Sequence, residues 1–110
     1  MWIRHFRALA LLVISAPPFA ASADEEFSPH LIKRGEQTYA INCSRCHGTR
    51  LVNPGANTFD LRRFPADQRD RFFNSVMNGK GNMPPWADLL KEEQIQALWA
   101  YVQTEGRREQ

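Results

Sequence analysis

The chain has 110 residues, 14 lysines and arginines against 12 aspartates and glutamates, and 43% hydrophobic residues. That length suits one small domain with a modest core, which commonly needs a staple beyond packing. Two cysteines alone do not complete a structural zinc site, which usually takes four ligands.

The N-terminus has the layout of a secretory leader. Met1 to Arg7 is basic and free of acids, Ala8 to Ala16 is apolar apart from Ser15, Pro17 and Pro18 break the run, and Ala21-Ser22-Ala23 forms an A-x-A-like cleavage site before Asp24. The apolar run is well short of the roughly 20 residues that span a bilayer, so no stable membrane insertion is expected after cleavage. No cysteine stands near the cleavage site for a lipid anchor, and the apolar run with its A-x-A site argues against a mitochondrial presequence. The expected organisation is therefore a signal peptide over 1–23 and one domain over 24–110, located in the periplasm. Removing the leader takes Arg4 and Arg7 with it and leaves 87 residues with twelve basic and twelve acidic side chains. A formally neutral domain lacks the positive field that nucleic-acid binding draws on.

Ser28-Pro29 reads as an N-cap followed by proline at the first helical position, opening a helix that runs to about Ala40. Leu31, Ile32, Gly35 and Tyr39 are available for packing. Glycine inside a helix costs about 1 kcal/mol relative to alanine, so Gly35 suggests the close approach of another backbone.

Cys43-Ser44-Arg45-Cys46-His47 follows, the C-x-x-C-H pattern of c-type haem attachment. Two thiols can add across the two vinyl groups of haem, and two intervening residues bring the sulfurs to one side of a helical turn. The next histidine then falls beneath the iron as a proximal ligand. The competing readings are a thioredoxin-like dithiol, which needs a βαβ context that the sequence does not supply, and half of a zinc site. His5 lies in the leader, and His30, at the start of the first helix, is expected at the solvated surface. Export agrees with haem, because c-type attachment in bacteria takes place outside the cytoplasm.

Gly48 to Phe64 is rich in turn formers, among them Asn53-Pro54-Gly55 and Asn57, with Leu51, Val52, Phe59 and Leu61 as its few apolar anchors. It reads as a loop that wraps something. A second helix is expected from Pro65 to Asn78-Gly79, with Phe72, Phe73, Val76 and Met77 on its apolar face. A third is expected from about Lys91 to Thr104, where Ile95, Leu98, Trp99 and Val102 form an i, i+3, i+4, i+7 stripe. Glu92 and Glu93 suit its first turn and Gly106 its stop, with Arg107 to Gln110 expected to fray.

Between these two helices, Gly79-Lys80-Gly81-Asn82-Met83-Pro84-Pro85-Trp86 offers a sixth iron ligand. The glycines allow a sharp turn and the prolines stiffen the chain after Met83, which helps hold a weak thioether. Met77, on the helix beside Phe73, is the competitor, and an open sixth site is the third possibility.

Gly35-x-x-x-Tyr39-x-x-x-Cys43-x-x-Cys46-His47-Gly48, then Gly79-x-Gly81-x-Met83-Pro84-Pro85-Trp86 and the final amphipathic helix, resemble the small single-haem cytochromes c of class I over roughly residues 30–105. The resemblance implies an all-α fold, with three main helices and loops wrapped around one covalent haem. It implies His47 as proximal and Met83 as distal ligand, and a crossing of the first and last helices with Gly35 and Tyr39 near Leu98, Trp99 and Val102. The expected function is one-electron transfer between redox proteins rather than enzymatic catalysis. The alternatives are a haem peroxidase or gas-binding protein with an open sixth site, and an electron-transfer subunit of a larger oxidoreductase. Arg45, Arg50, Arg62, Arg63 and Lys80 would be a positive ring that steers an acidic partner, or ordinary solvated charges and propionate partners.

Two departures stand out. Lys91 occupies the place where such proteins commonly carry a Ser or Thr cap. The usual Gly-Pro after the haem motif is missing, leaving Pro54 as the candidate acceptor for the Nδ1–H of His47. Thr58 to Pro65 with the Met-Pro-Pro-Trp loop is also similar to small cytochromes that serve periplasmic quinoprotein alcohol dehydrogenases. That likeness implies such a dehydrogenase as donor, with a terminal oxidase or another cytochrome as acceptor.

Overall fold

A computed structural model describes residues 11–16, 26–55 and 58–108. Most of the leader, including its basic start and Ala21-Ser22-Ala23, and Asn57 of the loop lie outside the described residues. Residues 11–16 carry no regular structure, and Leu11 to Ile14 are exposed. No described helix is long and apolar enough to cross a membrane.

The described part is helical: α1 (Pro29–Asn42), a single turn α2 (Ser44–His47), α3 (Arg69–Asn78) and α4 (Glu92–Arg108), with 3-10 turns at Thr49–Leu51 and Leu61–Arg63. Helix α1 begins as its sequence requires. The Ser28 side chain accepts from the Leu31 N–H, and Pro29 sits where a missing N–H costs nothing. The helix runs two residues past Ala40, until the N–H of Cys43 closes on the Tyr39 carbonyl at 2.8 Å.

Helix α3 starts four residues later than Pro65. The bond from Gln68 N–H to the Pro65 carbonyl closes a turn first, and Phe64, before the proline, stays extended at φ −68, ψ 124. Its end is where expected, at Asn78, with Gly79 at φ 75 as the cap. Helix α4 starts where expected but runs through Gly106 to Arg108. Lys91 offers no capping oxygen, but Gln94 three residues on reaches back to the Lys91 N–H at 2.8 Å, supplying half of a capping box. Gly106 is no stop: it is buried, and a Cβ there would lie 3.3 Å from Arg62 Cα in the second 3-10 turn.

The first and last helices cross, as the resemblance implies, but the register differs. The atoms nearest Gly35 belong to Ala97 and Tyr101, the next positions along a separate stripe of α4. A Cβ on Gly35 would overlap the Ala97 carbonyl, 2.6 Å from its carbon and 2.8 Å from Tyr101 Cβ. The Tyr39 and Tyr101 rings meet 5.3 Å apart. Leu98, Trp99 and Val102 are buried as expected. Trp99 packs against Phe72 at 5.3 Å and edge-on against Phe64 at 6.1 Å, so its side of α4 faces the aromatic core. Ala97 and Tyr101 were missed because α4 is apolar around much of its girth, and the four-residue stripe marks only part of it.

The loop between α2 and α3 is tied to this core. Leu51 is buried despite φ 67, a left-handed conformation that costs a leucine on the order of 1 kcal/mol. Phe64 is edge-on to Phe72, and its carbonyl accepts from the buried Gln103 side chain at 3.2 Å.

Substituting Gly35 with valine is expected to destabilise the protein by about 3 kcal/mol, lowering Tm by more than about 10 °C, while Gln37→Ala on the exposed face changes it little. Calorimetry showing Gly35→Val equal to wild type would contradict the crossing geometry.

Candidate haem-binding site

Everything from Cys43 to Gly48 hangs on the end of α1. Cys43 closes that helix, and its own carbonyl then accepts from Cys46 N–H at 3.2 Å and His47 N–H at 2.9 Å. The turn so formed places Cys43 and Cys46 at i and i+3, on one side of the helix, as the motif requires. Neither is in a disulfide. Cys43 is half-buried against the hydrophobic core, and burial, with a smaller effect from Cys46, pushes its thiol up to about 11. It is therefore held as a protonated thiol at neutral pH. Cys46 is exposed.

His47 follows on the same turn, and its tautomer follows from its partner. Nδ1 lies 3.2 Å from the Phe59 carbonyl, and a carbonyl only accepts, so Nδ1 carries the proton. The lone pair is left on Nε2, the nitrogen free to bind a metal. Burial pushes the imidazole below its ordinary value, and the Phe59 bond pulls weakly the other way, so the ring is neutral at pH 7.

Pro54 does not accept from His47; the Phe59 carbonyl does. A backbone carbonyl carries no side-chain signature, so proline was the only visible pointer, and here it lies elsewhere in the loop. Three successive residues of the turn are in fact held from outside. The Thr58 hydroxyl donates to the Cys46 carbonyl at 3.0 Å, the Phe59 carbonyl accepts from His47 Nδ1–H, and the buried Tyr39 hydroxyl donates to the Gly48 carbonyl at 2.6 Å. Sequence reasoning missed Thr58 in this role, and Asn53, whose Nδ2 donates to the Thr58 carbonyl at 2.9 Å. The Asn53-x-Gly55 spacing, which here forms a turn with Gly55 N–H on Asn53 Oδ1 at 2.8 Å, was the available signal.

Met83 sits in a loop fastened at both ends. Lys80 and Met83 exchange backbone bonds at 3.1 and 3.0 Å, with Gly81 at φ 58 at the bend. Past the two prolines, Trp86 N–H bonds to the Val76 carbonyl at 2.9 Å and Ala87 N–H to that of Met77 at 3.2 Å, pinning the loop to the end of α3. A Cβ on Gly79 would lie 2.5 Å from the Met83 carbonyl oxygen. Met83 and Met77 are both half-buried against the same core, as are Cys43, Leu61, Phe73 and Trp86. His30 is exposed at the start of α1.

These residues fit a haem. The donor set is two free thiols, an imidazole with its Nε2 lone pair available and a thioether on a braced loop. Its surroundings are half-buried aromatic and aliphatic side chains, with Phe59 and Val52 each 50% exposed, surface that a flat apolar macrocycle would cover. Of the five cations, Arg62 is engaged by Asp60 at 2.9 and 3.0 Å, and the guanidinium holds that carboxyl below its usual range. Arg45, Arg50, Arg63 and Lys80 are exposed.

Residues 30–102 match the family model described as cytochrome c oxidase, cbb3-type, subunit III. The cytochrome c6 of Thermosynechococcus vestitus is 33% identical over 99 residues, which cover 86% of this chain and 81% of that protein. A cytochrome c6-like protein of Nostoc is 35% identical over 72 residues, 62% of this chain and 65% of its own length. The crystal structure of cytochrome c6C from Synechococcus sp. PCC 7002 superposes with a TM-score of 0.56 at 30% identity, covering 68% of this chain and 96% of that one. With the helical fold, the C-x-x-C-H turn and these similarities together, the chain belongs to the small class I cytochromes c, electron carriers rather than enzymes, with one covalently bound haem c.

Proposed function

We propose that this chain is an exported one-electron carrier whose haem is held by thioethers from Cys43 and Cys46 and whose iron is bound by His47 Nε2 on one side and Met83 Sδ on the other. The observation that carries this is the pairing of a histidine whose tautomer leaves Nε2 available with a methionine on a loop braced by four backbone bonds. When bound, the haem supplies a single-electron couple between ferrous and ferric iron. The chain's part is to fix the ligands. Phe59 keeps the imidazole oriented, and the α3 anchors of Trp86 and Ala87 keep the Met83 loop from swinging away. A methionine–histidine pair favours the ferrous state and raises the reduction potential. It also leaves oxygen and peroxide no vacant coordination position, which argues against the peroxidase and gas-binding alternative. Met83 is favoured over Met77 because a weak ligand gains most from a preorganised loop, while Met77 lies within α3.

The electron passes to and from redox protein partners. The exposed Arg45, Arg50, Arg63 and Lys80 support an acidic partner surface. We further propose a terminal oxidase or another cytochrome as acceptor. The family model's own description, an oxidase subunit, gives specific support to the second reading, an electron-transfer subunit of a larger oxidoreductase. The quinoprotein alcohol dehydrogenase suggested as donor rests on the likeness of Thr58–Pro65 together with the Met-Pro-Pro-Trp loop. Export to the periplasm rests on the leader of residues 1–23.

The denatured mature protein is expected to keep the mass of one haem, and Cys43→Ala with Cys46→Ala together to lose it. Mass spectrometry finding no covalent haem in the wild type would overturn the site. Ferric wild type is expected to show a thioether-to-iron charge-transfer band that Met83→Ala removes and Met77→Ala retains. Retention in Met83→Ala, or ready carbon monoxide binding by the ferrous wild type, would reject the closed coordination sphere. Association with an acidic partner is expected to slow as ionic strength rises, and salt-independent electron-transfer rates would dismiss steering.

A further inference from the structure

Thr58 and Asn53 have no part in the coordination set, yet they converge on the bond that orients His47. Thr58 adjoins Phe59, whose carbonyl holds the imidazole Nδ1–H. Its hydroxyl is tied to the Cys46 carbonyl at 3.0 Å, one residue before the histidine. Its own carbonyl accepts from Asn53 Nδ2 at 2.9 Å, while Asn53 Oδ1 takes the Gly55 N–H. The donor and acceptor of the His47–Phe59 bond are thus linked by a second bond between their immediate neighbours, and Asn53 fixes that neighbour from the far side of the loop.

A 3.2 Å bond is at the long end of the range for N–H donors, where a small displacement changes its strength. Its strength matters chemically, because a hydrogen bond accepted from Nδ1–H makes the imidazole a more basic ligand. A more basic ligand favours the ferric state. We propose that Thr58 and Asn53 are positioning residues that set the His47–Phe59 bond and thereby lower the reduction potential of this chain. The proposal rests on His47 being the proximal ligand.

The test uses the haem-loaded, full mature protein equilibrated with a redox mediator of fixed potential. Thr58→Val keeps the side-chain shape and removes the donor. It is expected to shift the ferrous-to-ferric ratio about two- to fivefold toward ferrous. Thr58→Ser, which restores a hydroxyl, is expected to return the ratio to that of wild type. Asn53→Ala is expected to shift it in the same direction by a smaller factor, and stands in should Thr58→Val fail to load haem. NMR of the ferrous protein supplies a second readout: the His47 Nδ1 proton is expected to exchange with solvent faster in Thr58→Val than in wild type. A ratio and an exchange rate unchanged in both variants would overturn the proposal while leaving His47 as the ligand. Failure of serine to restore the ratio would overturn it too. A wild-type spectrum in which no histidine proton is shifted by the haem would overturn both this proposal and the ligand assignment beneath it.

Discussion

Where α1 crosses α4, the backbone of Gly35 lies against the carbonyl of Ala97 with no room for a methyl group between them. That contact sets the distance between the two longest helices, and much else follows from it. Tyr39, one turn further along α1, is carried to Tyr101 and buried to 1% exposure. Its hydroxyl can then reach only inward, to the Gly48 carbonyl, and so it fixes the far end of the cysteine turn. The position of His47 is thus inherited from a helix crossing at a residue twelve positions earlier. A buried hydroxyl without that acceptor would cost on the order of 1–3 kcal/mol, so the arrangement is enforced from both sides.

The same logic governs the Met83 loop. Two prolines remove two donors from the Met83 loop and would leave it poorly held. The chain recovers by closing Lys80 onto Met83 and by hanging Trp86 and Ala87 from carbonyls near the end of α3, where a helix has no internal partners to offer. Phe64 lies edge-on to Phe59, Phe72 and Trp99, a cluster that joins the loop, α3 and α4. The bonds thus gather at the segments that carry His47 and Met83.

The family was legible because the C-x-x-C-H pattern is carried by side chains at fixed spacing. Cys43, Cys46 and His47 name themselves, Ser28-Pro29 marks a helix start, and Gly35 signals the close crossing. What the sequence hid was carried by backbone atoms or by register. The Phe59 carbonyl has no residue type to advertise it, and Pro54 drew attention because proline was expected there. Pro65 looked like a helix start but serves a turn closed by Gln68. Gly106 looked like a stop, yet it is continued through because its missing side chain makes room for Arg62. Ala97 and Tyr101 were hidden in a helix so apolar that one stripe masked the next.

The central claim is that two braced segments present His47 and Met83 to opposite faces of one iron. Proton NMR of the ferrous, haem-loaded protein with selectively labelled methionine methyl groups tests it most directly. A methyl group bound axially lies over the macrocycle and is shifted far upfield by the ring current. The account predicts one such resonance, present in Met77→Leu and absent in Met83→Leu. An upfield methyl that survives Met83→Leu, or none at all in the wild type, would contradict it.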